Sequence, residues 1–147
     1  ATDARRFSPR PPDPRFAHDV LIVAKSRDVR RRMVADAVTA GLRPAIYGSG
    51  WEGLVDRDLV VADRIANRDL PVVYSSAGVL LNDHWDDMRE WGFVSNRIFD
   101  VLACGTPVIS DPVPGLHDVF GDAVVDRQLE EKRRADPAMI LNRDVIF

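Results

Sequence analysis

Three short stretches of the chain concentrate the polar groups that an anionic, hydroxyl-rich ligand needs. The first is Lys25-Ser26-Arg27, two cations around a hydroxyl, directly after an apolar run. If a helix starts there, its free N–H groups and the positive end of its dipole converge with the cations on a phosphate. The alternative is a plain N-cap with exposed charges. The second stretch is Ser95-Asn96-Arg97, followed by Asp100. Spacings of three and four place Asn96, Arg97 and Asp100 on one side of a helix. A carboxylate there can accept both hydroxyls of a ribose, while the helix start and Arg97 attract a diphosphate. An Arg97–Asp100 pair that only tethers the helix fits the same spacing. The third is Asn82-Asp83-His84-Trp85, where His84 can donate to a sugar or phosphate and Trp85 offers an apolar face to a pyranose. A structural role for this lone histidine is the competing reading. Gly48 and Gly50, in Gly48-Ser49-Gly50-Trp51, form a turn that lets backbone approach a ligand closely.

Other chemistries lack their residues. The dinucleotide fingerprint GxGxxG is absent after the first predicted strand, and the GxSxG elbow and the GxxxxGK[ST] loop are absent from the sequence. His18, His84 and His117 have no ligand spacing among themselves and Cys104 has no partner, so no metal site is expected. Asp56-Arg57-Asp58 matches the DxD pattern of metal-dependent sugar transferases, a match too short to carry weight. A phosphorelay receiver needs acids after its first strand, where this chain has Ala24 and Lys25.

The elements that must position these stretches follow from hydrophobic patterning. Residues 1–18 hold Pro9, Pro11, Pro12 and Pro14 and no apolar period, which predicts an extended linker or arm outside the core. Strands are predicted at 19–24 (DVLIVA), 44–47, 59–65, 79–83 and 107–110, with a sixth at 122–125. Helices are predicted over 27–40, capped by Ser26, over 68–77, and from the Ser95 cap to Gly105. Arg30-Arg31-Arg32 reads as a solvated helix face and 83–92 as a loop. Alternating strands and helices at this spacing imply an α/β, Rossmann-like, doubly wound parallel sheet over 19–125. Residues 126–147 read as a charged C-terminal helix and tail.

Composition agrees with one globular domain: 147 residues, 46% hydrophobic and 29% charged. Twenty basic and twenty-three acidic side chains leave a net charge of −3, which speaks against a nucleic-acid partner held by bulk charge. A single cysteine fits a reducing compartment, so a cytoplasmic location is expected. The apolar runs fall far short of the roughly 20 residues of a transmembrane segment, and the first residues lack the apolar core of a signal peptide.

On these residues the chain resembles the C-terminal, nucleotide-sugar-binding domain of a GT-B glycosyltransferase, of the group 1 type with a CgeB-like domain. The likeness covers about residues 1–125. It is most specific over VYSSAGVLLNDHWDDMREWGFVSNRIFDVLACGTPVISDPVPGL (73–116), with the Tyr47–Trp51 turn beside it. The start, ATDARRFSP, is similar to the family's interdomain linker. The resemblance implies one half of a GT-B fold, a nucleotide diphosphate sugar as substrate with no cofactor, and an acceptor-binding domain upstream. It places Asp100 on the donor ribose, Asn96 and Arg97 beside the diphosphate, and Lys25 to Arg27 on the first phosphate loop. Gly92 stands where the family has the first of two glutamates, and Asp100 replaces the second. Transfer of a sugar is the function so implied. The fragment alone is expected to be inactive, its catalytic groups being unknown. A non-catalytic binding module or an epimerase of the same architecture are the rivals.

Overall fold

The computed structural model describes residues 2–135. Five parallel strands form one sheet: β1 (His18–Val23), β2 (Ala45–Tyr47), β3 (Val60–Ala62), β4 (Ala77–Asn82) and β5 (Val108–Ser110), in the order β3-β2-β1-β4-β5. Among the described residues six α-helices accompany them: α1 (Arg32–Thr39), α2 (Leu70–Ser76), α3 (Asp86–Glu90), α4 (Asn96–Ala103), α5 (Gly115–Phe120) and α6 (Asp122–Ala135). This is an α/β Rossmann-like fold. The chain builds outward from β1 to β3, then returns to place β4 on the other side of β1. That reversal opens a crevice beyond the carboxyl ends of β1 and β4.

Strands covered on both faces need apolar residues in both phases of the pleat. Leu21 and Leu80 bury into one layer with Val73, Tyr74 and Val101; Ile22 and Leu81 bury into the other with Met33, Val34 and Ala37. Each fully buried Leu or Ile stabilises the fold by about 1.5–3 kcal/mol. Helix α1 therefore covers one face, and α2 and α4 the opposite one.

Four expectations change. The segment expected as an arm outside the core sends Phe7 into it: this ring is buried and stacks on Tyr74, with ring centroids 6.2 Å apart. The proline-fixed backbone is extended, yet its amides at Arg10 and Asp13 donate to Ser75 Oγ and Ser76 Oγ of α2. Helix α1 begins at Arg32 and not at 27, because Arg27 and Asp28 adopt left-handed φ of 55° and 59°. Residues 122–125 open α6 and form no strand; Gly121, at φ 77°, ends α5, and Asp122 suits the positive end of the new helix. The loop 83–92 contains α3, with Asp86 and Asp87 in its first turn. Residues 136–147 of the expected tail lie outside the described residues. Among the described residues, no helix is long and apolar enough to cross a membrane.

Candidate functional site

The segment after β1 is held from below by the segment after β2. Trp51 Nε1 donates to Ala24 O at 2.9 Å, and the Ser26 amide donates to Ser49 O at 3.0 Å. A Cβ on Gly48 would lie 1.9 Å from Ala24 O, and one on Gly50 would lie 3.1 Å from the Arg27 nitrogen. The two glycines thus serve contact between loops of the chain itself, which replaces the expected approach to a ligand. Ser26 is fully buried and its Oγ donates to Val29 O at 3.0 Å, so it closes a turn and does not cap α1. What this loop offers outward is charge. Lys25, Arg27 and Arg30 are exposed and carry no ion pair among the described residues. They sit at the carboxyl end of β1, where they raise the local positive potential.

At the end of β4 successive side chains leave on opposite faces of the sheet. Asp83 continues the α1 face and meets Arg31, whose Nε donates to Oδ2 at 2.8 Å and whose Nη2 donates to the Asp83 carbonyl at 3.0 Å. Arg31 is buried, which corrects the solvated-face reading of that one residue in the Arg30–Arg32 run. The guanidiniums of Arg27 and Arg31 lie 4.6 and 4.0 Å from the Trp85 ring centroid, within cation–π range. The indole therefore carries cations where the sequence suggested a free platform for a pyranose.

Asn82 continues the α4 face. Its Oδ1 accepts from Arg97 Nη1 at 3.1 Å and its Nδ2 donates to Ser110 Oγ at 3.1 Å. Asp100 accepts from Thr2 Oγ1. Arg97 and Asp100 thus have separate partners, and no ion pair links them among the described residues. Asn96 stands exposed in the first turn of α4, and Ser95 is its N-cap residue. Burial pushes the neighbouring Tyr74 phenol up to about 12, against the opposing pull of Arg97.

His84 is buried between these groups. Its Nδ1 lies 2.6 Å from Asp111 Oδ1 and its Nε2 accepts the Ser95 amide at 3.0 Å. With both ring nitrogens engaged, it is not available to donate to a sugar or phosphate. Asp111 also accepts from Arg89 Nη1 at 2.9 Å. Burial raises its pKa, but hydrogen bonds from His84 and Arg89 outweigh that and hold the carboxyl below the ordinary aspartate range.

A cleft of about 430 Å³ opens on the α1 side of this edge, lined by Arg30, Arg31, Asp83, His84, Trp85 and Arg89 among others. It gathers Asp83 and His84 from the expected set; Lys25, Ser26, Arg27, Gly48, Gly50, Ser95, Asn96, Arg97 and Asp100 do not line it. Arg31, Arg89 and Asp111 were missed as contributors. Arg31 pairs with Asp83 52 positions away, and Asp111 with Arg89 and His84 22 and 27 positions away, so local spacing carries no signal for them; Arg89 has a near partner as well, Asp86, on the short helix α3. Asp56 and Asp58 precede β3, at the opposite edge of the sheet, and Asp58 pairs with Arg43. Among the described residues no group of three or more His, Cys, Asp or Glu could hold a metal ion.

Comparison with protein families matches residues 27–135, most of the chain, to the family described as "Glycosyl transferase-like". The chain belongs to that family. The matched span of this glycosyl transferase-like chain includes Asp83, His84, Ser95, Asn96, Arg97 and Asp100, while β1, Lys25 and Ser26 precede it. No curated protein and no solved structure matches it.

Proposed function

We propose that the chain is the donor-binding half of a GT-B glycosyltransferase of the CgeB-like type, transferring a sugar from a nucleotide diphosphate sugar to an acceptor. One observation carries the reading. At the carboxyl ends of the adjacent strands β1 and β4, three cations without ion pairs among the described residues (Lys25, Arg27, Arg30) follow β1, and α4, which bears Asn96, Arg97 and Asp100, is tied to the end of β4 by the Arg97–Asn82 hydrogen bond. A diphosphate between them meets cationic side chains and backbone N–H groups, and Asp100 takes the ribose hydroxyls. As the glycosidic bond breaks, the same groups stabilise the charge that develops on the leaving diphosphate. The proton acceptor for the incoming hydroxyl belongs to an acceptor-binding domain upstream, across the cleft. The single buried cysteine accompanies a cytoplasmic location.

The test is titration with UDP, GDP, ADP and TDP and the matching monophosphates, with and without EDTA. Diphosphate binding that is tighter than monophosphate binding and indifferent to the chelator supports the reading. No binding by any of them overturns it. Gly92 favours a second reading, a non-catalytic binding module, since no carboxylate stands at that position and Gly115 packs against the Gly92 carbonyl. Sugar transfer on joining the upstream domain, absent with this chain alone, separates the two.

A further inference from the structure

We infer that His84 is a positioning residue: by accepting a hydrogen bond at Nε2 it sets the start of α4, and with it the groups of α4 that face the donor. The assignment of donor groups rests on the function proposed above; the positioning itself rests on geometry. A backbone N–H can only donate, so the 3.0 Å contact from the Ser95 amide requires a bare, accepting Nε2. The ring hydrogen then sits on Nδ1, 2.6 Å from Asp111 Oδ1. One tautomer of the neutral ring satisfies both contacts.

The ring has no freedom to do otherwise. Its side chain is fully closed to solvent. The His84 backbone amide donates to both Asp111 oxygens at 3.1 Å, and Arg89 Nη1 donates to the His84 carbonyl at 3.0 Å. From Asp111 the connections continue. Ser110 Oγ lies 3.5 Å from Oδ1, Asn82 Nδ2 donates to that hydroxyl, and Asn82 Oδ1 accepts from Arg97. The path closes on itself: His84 holds Ser95 at the cap of α4, and Asn82 holds Arg97 two residues further on, in the first turn. Helix α4 needs this external support, because the Ser95 side chain makes no capping hydrogen bond. Losing the Nε2 contact releases an amide at the end of the helix that is proposed to meet the diphosphate.

Two substitutions separate the bonds. His84→Gln keeps an acceptor near the Nε2 position and loses the donor to Asp111; His84→Asn keeps a donor near Nδ1 and loses the acceptor for Ser95. Both remove buried hydrogen bonds and are expected to lower the melting temperature alike. The positioning role predicts that the Ser95 amide exchanges about tenfold faster in His84→Asn, and that the dissociation constant for UDP or GDP rises about tenfold. His84→Gln should restore both to within about twofold of the parent. If His84→Asn does not fold, Ser95→Pro removes the same bond from the other side, since Ser95 already has φ −60°. Nucleotide affinity in that variant should fall to the same degree. Equal exchange and equal affinity in the Gln and Asn variants, or unchanged affinity in Ser95→Pro, overturns the inference. Should the parent chain bind no nucleotide, the proposed function fails, and amide exchange alone decides whether His84 sets the start of α4.

Discussion

Arg31 and Asp83, 52 positions apart, join the segment after β1 to the segment after β4 through an ion pair that is nearly closed to solvent, with side-chain exposures of 6% and 16%. Such a pair is weak evidence of net stabilisation, because both ions had to be dehydrated. Removing one partner is another matter, since it strands a buried charge.

Arg31→Ala should therefore destabilise the domain by about 3–5 kcal/mol. Arg30→Ala, on the exposed neighbour, should stay within about 0.5 kcal/mol. Denaturant unfolding of the two variants measures the contrast. Equal, small losses would mean that Asp83 finds water when Arg31 is gone.

That contrast shows what local spacing could and could not reveal. The sheet was legible because DVLIVA and VLLND are apolar in both phases of the pleat, which only a doubly covered strand requires. The buried side of α4 was legible only in part: the spacing points to Ile98, Phe99, Leu102 and Ala103, whereas the structure buries Ile98 and Val101 and leaves Leu102 exposed. Nothing local distinguishes Arg31 from Arg30 and Arg32; a partner 52 residues away does. The start of α1 was misjudged because Arg27 and Asp28 turn left-handed where the Gly48–Trp51 loop packs beneath them, a tertiary choice. Phe7 looked like part of a proline-rich arm because its stacking partner, Tyr74, lies on α2. The hydrogen-bonded path from His84 to Arg97 joins the ends of two strands, β4 and β5, to one helix, α4, and no one-dimensional period encodes it.

The loop contact at Gly48 gives a second expectation. Gly48 has φ +150°, and a Cβ there would sit 1.9 Å from the Ala24 carbonyl oxygen. Gly48→Ala should cost on the order of 3 kcal/mol and weaken nucleotide binding, since the Lys25–Arg27 segment must shift. Gly53→Ala is the control: it has φ +72° but open space around it, so only backbone strain of about 1 kcal/mol applies. Melting temperatures and UDP titrations of both variants test the difference. Similar losses in the two would remove the steric argument.

Alkaline stability follows from the tyrosines. Burial pushes Tyr74 up to about 12 and also raises Tyr47. In the unfolded chain both ionise near 10. Above that pH the unfolded state loses protons that the folded state keeps, so the contribution present below 10 declines as pH rises toward the folded values. The slope should reach about 1 kcal/mol per pH unit for Tyr74, with Tyr47 adding a contribution of the same sign. Denaturant midpoints across this range, with phenolate absorbance of the folded protein, provide the check. Phenolate appearing near pH 10 while the domain stays folded would contradict it.

Asp100 carries the most direct expectation for binding. It is half-buried on α4, accepts a hydrogen bond from Thr2 Oγ1, and makes no ion pair with Arg97. Its carboxylate therefore has acceptor capacity left for a ligand, which an Arg97 tether would have reduced. If it takes the ribose hydroxyls of the donor, Asp100→Ala should weaken UDP or GDP binding by on the order of 1–3 kcal/mol. Losing the Thr2 contact could also disturb the arm, so Thr2→Val serves as the control; it removes that bond and should leave affinity within about twofold. A change in the ligand gives an independent measure. The 2′-deoxy diphosphate should bind the parent chain more weakly than the ribonucleotide, and Asp100→Ala should bind the two about equally, because the group that tells them apart is gone. A folded Asp100→Ala variant that still prefers the ribonucleotide by the parent's margin would show that the ribose is read elsewhere, and would leave Asp100 as the anchor of Thr2.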